Sequence, residues 1–296
     1  MTLVEMRETM SGLGHRVLGD LPESGARFPD GSRWRIEIPS CEGPRVMRAV
    51  VEQATELGVP VHRVSQGSGV MMLSDTEITE MVQLGAAHGI EVNLFLGPRG
   101  AWDTGAQARV TAAVGGAARG NAAVAACLAE ADRACRLGVR SLLVGDLGVL
   151  DLLHRRKEAG DLPADLVLKT SVVMPLTNAP TAAVYERLGA TSLNVSTDLP
   201  VADLAEMRAV TSVPLDIYVE CPDDQGGVVR SYEIASMVRA MAPVYLKFGV
   251  RNAPALYPVG EHLAGTAEAL GRERVRRAAL GLRLLAELDP ELLPGG

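Results

Sequence analysis

The chain has 296 residues, a net charge of −7, 47% hydrophobic and 22% charged residues, enough for a real core in one large domain or two small ones. The acidic balance argues against a nucleic-acid binder, which carries a basic face, and against a surface for anionic lipids. No apolar run approaches the ~20 residues of a membrane helix.

The opening MTLVEMRETM contains acids and no apolar core segment, so no secretory signal is read. Cysteines stand at 41, 127, 135 and 221 without a C-x-x-C pair, which suits a reducing, cytoplasmic setting. Aromatics are 3%, so the core falls to Leu, Val, Ala and Met.

Residues 2–19 read as a short helix, followed by the Pro/Gly-rich connector LPESGARFPDGS. From there a strand–helix rhythm runs to the end. Alternating apolar residues predict strands near 34–39, 60–65, 90–96, 140–145, 165–171, 191–196, 214–220 and 244–249. Amphipathic stretches predict helices near 44–57, 75–88, 121–137, 147–159, 179–188, 200–210, 230–241 and 264–288. Several helices end in Gly just before the next strand, as in LGVP at 57–60 and HGIE at 88–91, the left-handed cap that turns the chain back. Ser74-Asp75, with Glu77 behind, marks a helix start.

Eight strands alternating with eight helices predict a (β/α)₈ TIM barrel over residues 34–296, one domain behind an N-terminal extension of residues 1–33. A doubly wound sheet is the competing reading, and it lacks a G-x-G-x-x-G after the first strand. The longest irregular stretch, 97–120, reads as a lid or as a loop carrying a small helix of its own, over 104–114.

If the apolar phase of each strand faces the helices, the other phase fills the barrel. That phase holds Arg35, Glu37, Arg63, Ser65, Glu91, Asn93, Lys169, Ser171, Asn194, Ser196, Asp216, Tyr218, Glu220 and Lys247. Barrel interiors are usually Val, Ile and Leu. Lone ions there are too costly, so these charges pair, meet water or meet a ligand. One outcome is a salt-bridge network that does nothing else. At strand C-terminal ends, where barrel active sites sit, Glu37, Glu220 and Lys247 are acid/base candidates, and Arg63, Gln66, Asn93, Ser171 and Asn194 candidates for substrate binding.

Lys169 lies among small apolar groups in LVLKTSVVM. A lysine so placed can lose its proton near neutrality and attack a carbonyl. The segment Lys169-Thr170-Ser171 is similar to the Schiff-base strand of deoxyribose-phosphate aldolase. Gly226, Gly227 and Arg251, in loops after strands seven and eight, predict an anion site through backbone N–H groups and a forked donor. None of the five histidines falls at a strand C-terminal end, so a zinc triad is not expected. Glu37 with Glu220, and Asp146 beside them, could hold Mg²⁺.

Residues 185–219, YERLGATSLNVSTDLPVADLAEMRAVTSVPLDIYV, are similar to the collagenase-like peptidases of unknown catalytic type, peptidase family U32. The resemblance runs on from about residue 35 to 250 and implies a barrel fold and a hydrolase label. Members that bind an iron–sulfur cluster carry four cysteines beginning just past this strand. Here Cys221 stands alone there, so a cluster is not expected.

The reading is an enzyme acting on a small anionic metabolite at the C-terminal face, with hydrolase-like acid/base chemistry. Its alternatives are a Schiff-base lyase using Lys169 and a barrel that binds a ligand without chemistry. No nucleic acid or membrane is expected as a partner; a homo-oligomer is left open.

Overall fold

Eight short parallel strands form the centre of the molecule, a computed structural model that describes residues 5, 6, 9, 21–98 and 115–293. They are β1 (Trp34–Pro39), β2 (Val61–Gln66), β3 (Glu91–Phe95), β4 (Ser141–Val144), β5 (Val167–Thr170), β6 (Leu193–Asn194), β7 (Leu215–Glu220) and β8 (Val244–Phe248). Their order is β5-β4-β3-β2-β1-β8-β7-β6. A parallel bridge between Lys169 and Ser192 joins the two ends and closes the barrel. Glu37 pairs in register with Lys247 across β1 and β8, as neighbouring first and last strands require.

The β5–β6 seam is the weakest. Thr170 N–H donates to the Ser192 carbonyl at 3.0 Å. One step on, the Asn194 N–H donates to the Thr170 hydroxyl, not to a carbonyl. A side chain has taken the next rung, so β6 is two residues long where alternation predicts six. The predicted helix over 104–114 lies outside the described residues. Of the stretch 2–19, only Glu5, Met6 and Thr9 are described, and they are helical.

Among the described residues, seven helices fill the crossovers and an eighth follows β8: α1 (Pro44–Leu57), α2 (Asp75–His88), α3 (Gly120–Arg136), α4 (Leu147–Glu158), α5 (Ala179–Arg187), α6 (Val201–Val210), α7 (Ile234–Met241) and α8 (Ala264–Leu288). Gly58 and Gly89 stop α1 and α2 at φ 64° and 66°, values that cost glycine little. Ser74 and Glu77 close a reciprocal capping box on α2. Ser74→Ala is expected to cost about 1 kcal/mol in chemical unfolding; no change would mean the α2 cap does not hold that helix.

Ile36, Ile38, Val64, Leu94, Leu142, Leu168, Leu215, Ile217 and Leu246 are buried against the helices. The core therefore lies between sheet and helix ring, which leaves the barrel interior to the polar phase. The segment before β1 closes the barrel's lower end. Phe28 meets the Tyr245 ring edge-on with centroids 5.2 Å apart, and the Arg35 guanidinium lies 4.3 Å above the Phe28 ring.

Candidate functional site at the barrel mouth

Above that plug, six ionic side chains from six strands meet inside the barrel. Arg63 on β2 is the hub. Its guanidinium donates to Glu91 at 2.8 Å, to Asp216 at 2.8 Å and to Glu37 at 3.3 Å, and its plane lies 3.6 Å above the Tyr245 ring. Lys169 on β5 donates to Glu37 and stands 3.2 Å from Asp216. Lys247 on β8 approaches Glu37 at 3.6 Å. Ser65 donates to Glu37 at 2.8 Å, and Ser192 to Asp216. Three cations face three carboxylates, so the group is neutral as a whole. It matches the predicted inward phase for Glu37, Arg63, Glu91, Lys169, Asp216 and Lys247.

Burial raises the Glu37 carboxyl, but Lys169, Lys247 and Arg63 together outweigh it and hold it well below the usual carboxylate range. Burial pulls the Lys169 ammonium down to about 8, against the raising pull of Asp216 and Glu37. Lys169 is fully buried, with two carboxylates on its Nζ. A carbonyl compound would have to displace Glu37 to reach it. Asn93 is equally enclosed, donating to Ser141 at 2.6 Å. Arg63 and Asn93, expected to bind substrate, are thus held inside the barrel, below its mouth.

The open positions lie one layer higher. A small cavity of about 30 Å³ at the strands' C-terminal ends is lined by Ser65, Ser171, Asn194, Tyr218, Lys247 and Tyr257, among others. Lys247 is only 3% exposed. Its ammonium lies 4.1 Å above the Tyr218 ring and makes no hydrogen bond among the described residues. Asn194 is 1% exposed, and its Oδ1 is buried without a partner. A buried cation with one long ion contact, beside an unpaired amide oxygen, leaves unmet hydrogen-bonding capacity at this point. A wider cleft of about 340 Å³ continues outward and shares Val172, Val173 and Gln225 with the small cavity. A larger cavity of about 550 Å³ sits at the opposite end of the barrel, beside Arg33, Trp34 and His62. It lies away from the strands' C-terminal ends and from the inner ionic group.

Other predicted site residues are satisfied within the chain. Glu220 follows a register shift on β7, which turns it off the barrel axis: it accepts from the Arg251 backbone N–H at 2.9 Å and stands 3.4 Å from the Arg277 guanidinium. It does not join Glu37. The anion site expected at Gly226, Gly227 and Arg251 is filled by Asp223. That carboxylate holds the Arg251 guanidinium at 2.7 Å and takes the Asn252 N–H. The Gly226 and Gly227 amides donate to the carbonyls of Asp223 and Pro222, so they are not free. Gly226 still borders the outer cleft.

The glycine loop after β2 shows the same self-satisfaction. Glu42 accepts from the Gly67 and Ser68 amides at 2.7 and 2.9 Å. The Gln66 amide closes on Gly69 N–H and C=O, both at 3.0 Å. Gln66 borders the cavity with its side chain already committed.

Asp146 caps α4 by accepting from Val149 N–H at 2.9 Å. Among the described residues, no three His, Cys, Asp or Glu side chains converge where a metal ion could sit. Cys221 is buried and donates its S–H to the Gln225 carbonyl, and no cysteine is among the residues lining the mouth. This donor set does not fit an iron–sulfur cluster.

Tyr257 and Ser40 are mouth residues that the strand pattern does not flag. They hydrogen-bond to each other, and the Tyr257 ring lies so close to Gly67 that a Cβ there would sit 2.6 Å from it. The signal was faint: a lone tyrosine in the long loop after β8 of an aromatic-poor chain.

Fold and site together define a (β/α)₈ barrel with an ion-paired interior and a polar mouth at the strands' C-terminal ends. The model of Peptidase family U32 matches residues 104–221, so the resemblance carried by residues 185–219 extends across the middle of the chain. No curated protein matches. Among solved structures, the chain is similar to the carboxyl transferase domain of Rhizobium etli pyruvate carboxylase (13% identity, 87% of this chain and 48% of that one, TM-score 0.47). It is also similar to a U32 peptidase (13% identity, 80% and 98%, TM-score 0.41). A thiamine phosphate pyrophosphorylase of Pyrococcus furiosus is a further likeness (12% identity, 83% and 98%, TM-score 0.43).

Proposed function

We propose that the chain is an enzyme acting on a small anionic metabolite at the barrel mouth, with Lys247 as the group that meets the substrate. The observation that carries this reading is the state of Lys247: buried, lining the mouth cavity, 3.6 Å from Glu37 and without a hydrogen bond among the described residues. An ammonium in such a place binds a carboxylate or carbonyl oxygen. It can also donate a proton to an oxyanion as one develops. Glu37 touches Lys247 from below and has no access to the cavity. Its role is to hold the side chain of Lys247 aimed at the cavity, as a positioning residue.

The hydrolase label of the matched family finds no Ser–His or Cys–His pair among the residues lining the mouth. Acid/base chemistry on an anion is what these residues support. Schiff-base chemistry, the other use of a buried lysine, falls to Lys247 because Glu37 and Asp216 enclose Lys169.

The test is thermal unfolding against a panel of small carboxylates, oxo acids and phosphate esters, followed by borohydride treatment and peptide mapping. A bound anion at 100 times its Kd adds about 2.7 kcal/mol of stability and raises the midpoint. If no anion raises it, the reading falls. Borohydride labelling mapped to Lys169 would move the chemistry inward and overturn the role given to Lys247.

A further inference from the structure

The mouth has two ends of opposite character. Its deep end presents the Lys247 ammonium and no carboxylate. Its outer end is lined by the exposed acids Asp198 and Asp224 and by no Lys or Arg, and the nearest guanidinium, Arg230, is committed to the Thr197 carbonyl at 3.2 Å and to Glu233. Neither acid forms an ion pair among the described residues. Between them lie the apolar walls of Val172, Val173 and Pro175.

A pair of exposed acids is not a site on its own. The second observation is the unpaired acceptor Oδ1 of Asn194, on a side chain 1% exposed and lining the deep end. Gln225, which lines both ends, likewise has its Oε1 buried without a partner. A buried amide oxygen left unpaired costs the full loss of its hydration, and a donor group on a ligand removes that cost.

We infer that the substrate is a zwitterion: a short chain with a carboxylate or carbonyl oxygen at Lys247, a hydroxyl or amino donor for Asn194 and Gln225, and a cationic end between Asp198 and Asp224. This rests on the reading of the mouth given above and adds the substrate's polarity. A dianion would place its second charge against two carboxylates, so the geometry selects against it.

Calorimetric titration with matched chains tests this: short ω-amino carboxylates, the simple carboxylates of equal length, and the corresponding dicarboxylates. The amino carboxylates are expected to bind most tightly. Asp198→Asn and Asp224→Asn are each expected to weaken them about fivefold, the order of a partly exposed charge pair, while leaving simple carboxylates unchanged. Lys247→Met should abolish binding of all three classes. If simple carboxylates or dicarboxylates bind as tightly as the amino compounds, or both Asn variants bind them all as the parent does, the zwitterion is wrong and the anion site stands. If no compound of any class binds, or Lys247→Met binds them unchanged, the reading of the mouth itself fails and the zwitterion with it.

Discussion

Lys169→Met is expected to lose about 3–5 kcal/mol of stability, the cost of breaking a fully buried ion pair from one side. Lys169 Nζ touches Glu37 and lies 3.2 Å from Asp216. Without it, three carboxylates share Arg63 and Lys247, and one negative charge is left without water or partner. The cluster is not itself a source of great stability, because removing six charges from water is expensive. It is a structure in which each member is compulsory once the others are present. Lys169→Met with Asp216→Asn removes one charge of each sign and is expected to recover a substantial part of the loss. Urea unfolding reads both, provided the slope stays constant. A single variant within about 0.5 kcal/mol of the parent would show that Lys169 is not part of a compulsory network.

The same cluster sets the acid limit. Glu37 and Glu91 are held below their ordinary value of 4.5 in the folded state, in each case against the raising effect of burial, by the surrounding cations. A carboxyl with a depressed folded pKa contributes stability above its unfolded pKa and loses it as pH falls through the folded one. Unfolding below about pH 4.5 is therefore expected to steepen as these groups take up protons.

The barrel was legible in the sequence because each strand repeats one phase and helices such as α1 and α2 end in a glycine. The polar filling was legible for the same reason: Glu37, Arg63, Lys169, Asp216 and Lys247 all share the non-apolar phase. Depth along the barrel axis was not. Lys169 and Lys247 are alike in phase and in chemistry, and only the stagger of the strands sets one below Glu37 and the other above it. Glu220 has the inward phase too, and the register shift after Tyr218 rotates it out. No pattern of two can show such a shift. The glycine loops misled for a different reason. The Gly67 and Ser68 amides are taken by Glu42 and the Arg251 guanidinium and Asn252 amide by Asp223, while the Gly226 and Gly227 amides close a local turn on the Asp223 and Pro222 carbonyls. That Glu42 reaches Gly67 and Asp223 reaches Asn252 depends on folding across 25 and 29 residues, and local composition is silent on it.

Lys247→Met is expected to contrast with Lys169→Met: a smaller loss of stability and almost no function. Lys247→Met leaves the same excess of one carboxylate as Lys169→Met, but Glu37 keeps its contacts with Lys169, Arg63 and Ser65 when Lys247 is gone. The lost contact is a single approach at 3.6 Å. The expected loss of stability is therefore smaller than the ~3–5 kcal/mol of Lys169→Met, whose ammonium has two carboxylates on it. Turnover of whichever anionic metabolite the panel identifies is expected to fall by about 10²–10³, the usual loss when one donor to a developing oxyanion is removed. Lys247→Arg should not restore it. The guanidinium is wide and planar, while the cavity above Lys247 is small and lined by Tyr218 and Tyr257. The pair of lysines thus makes an internal control, since both are buried, both contact Glu37 and both become Met. If Lys247→Met unfolds as readily as Lys169→Met, the two belong to one structural filling and the mouth has no reacting cation. If Lys247→Met keeps its turnover, the substrate meets some other group. Loss of turnover with the fold intact, against loss of the fold for Lys169, is the result that separates a side chain placed for chemistry from one placed for charge balance.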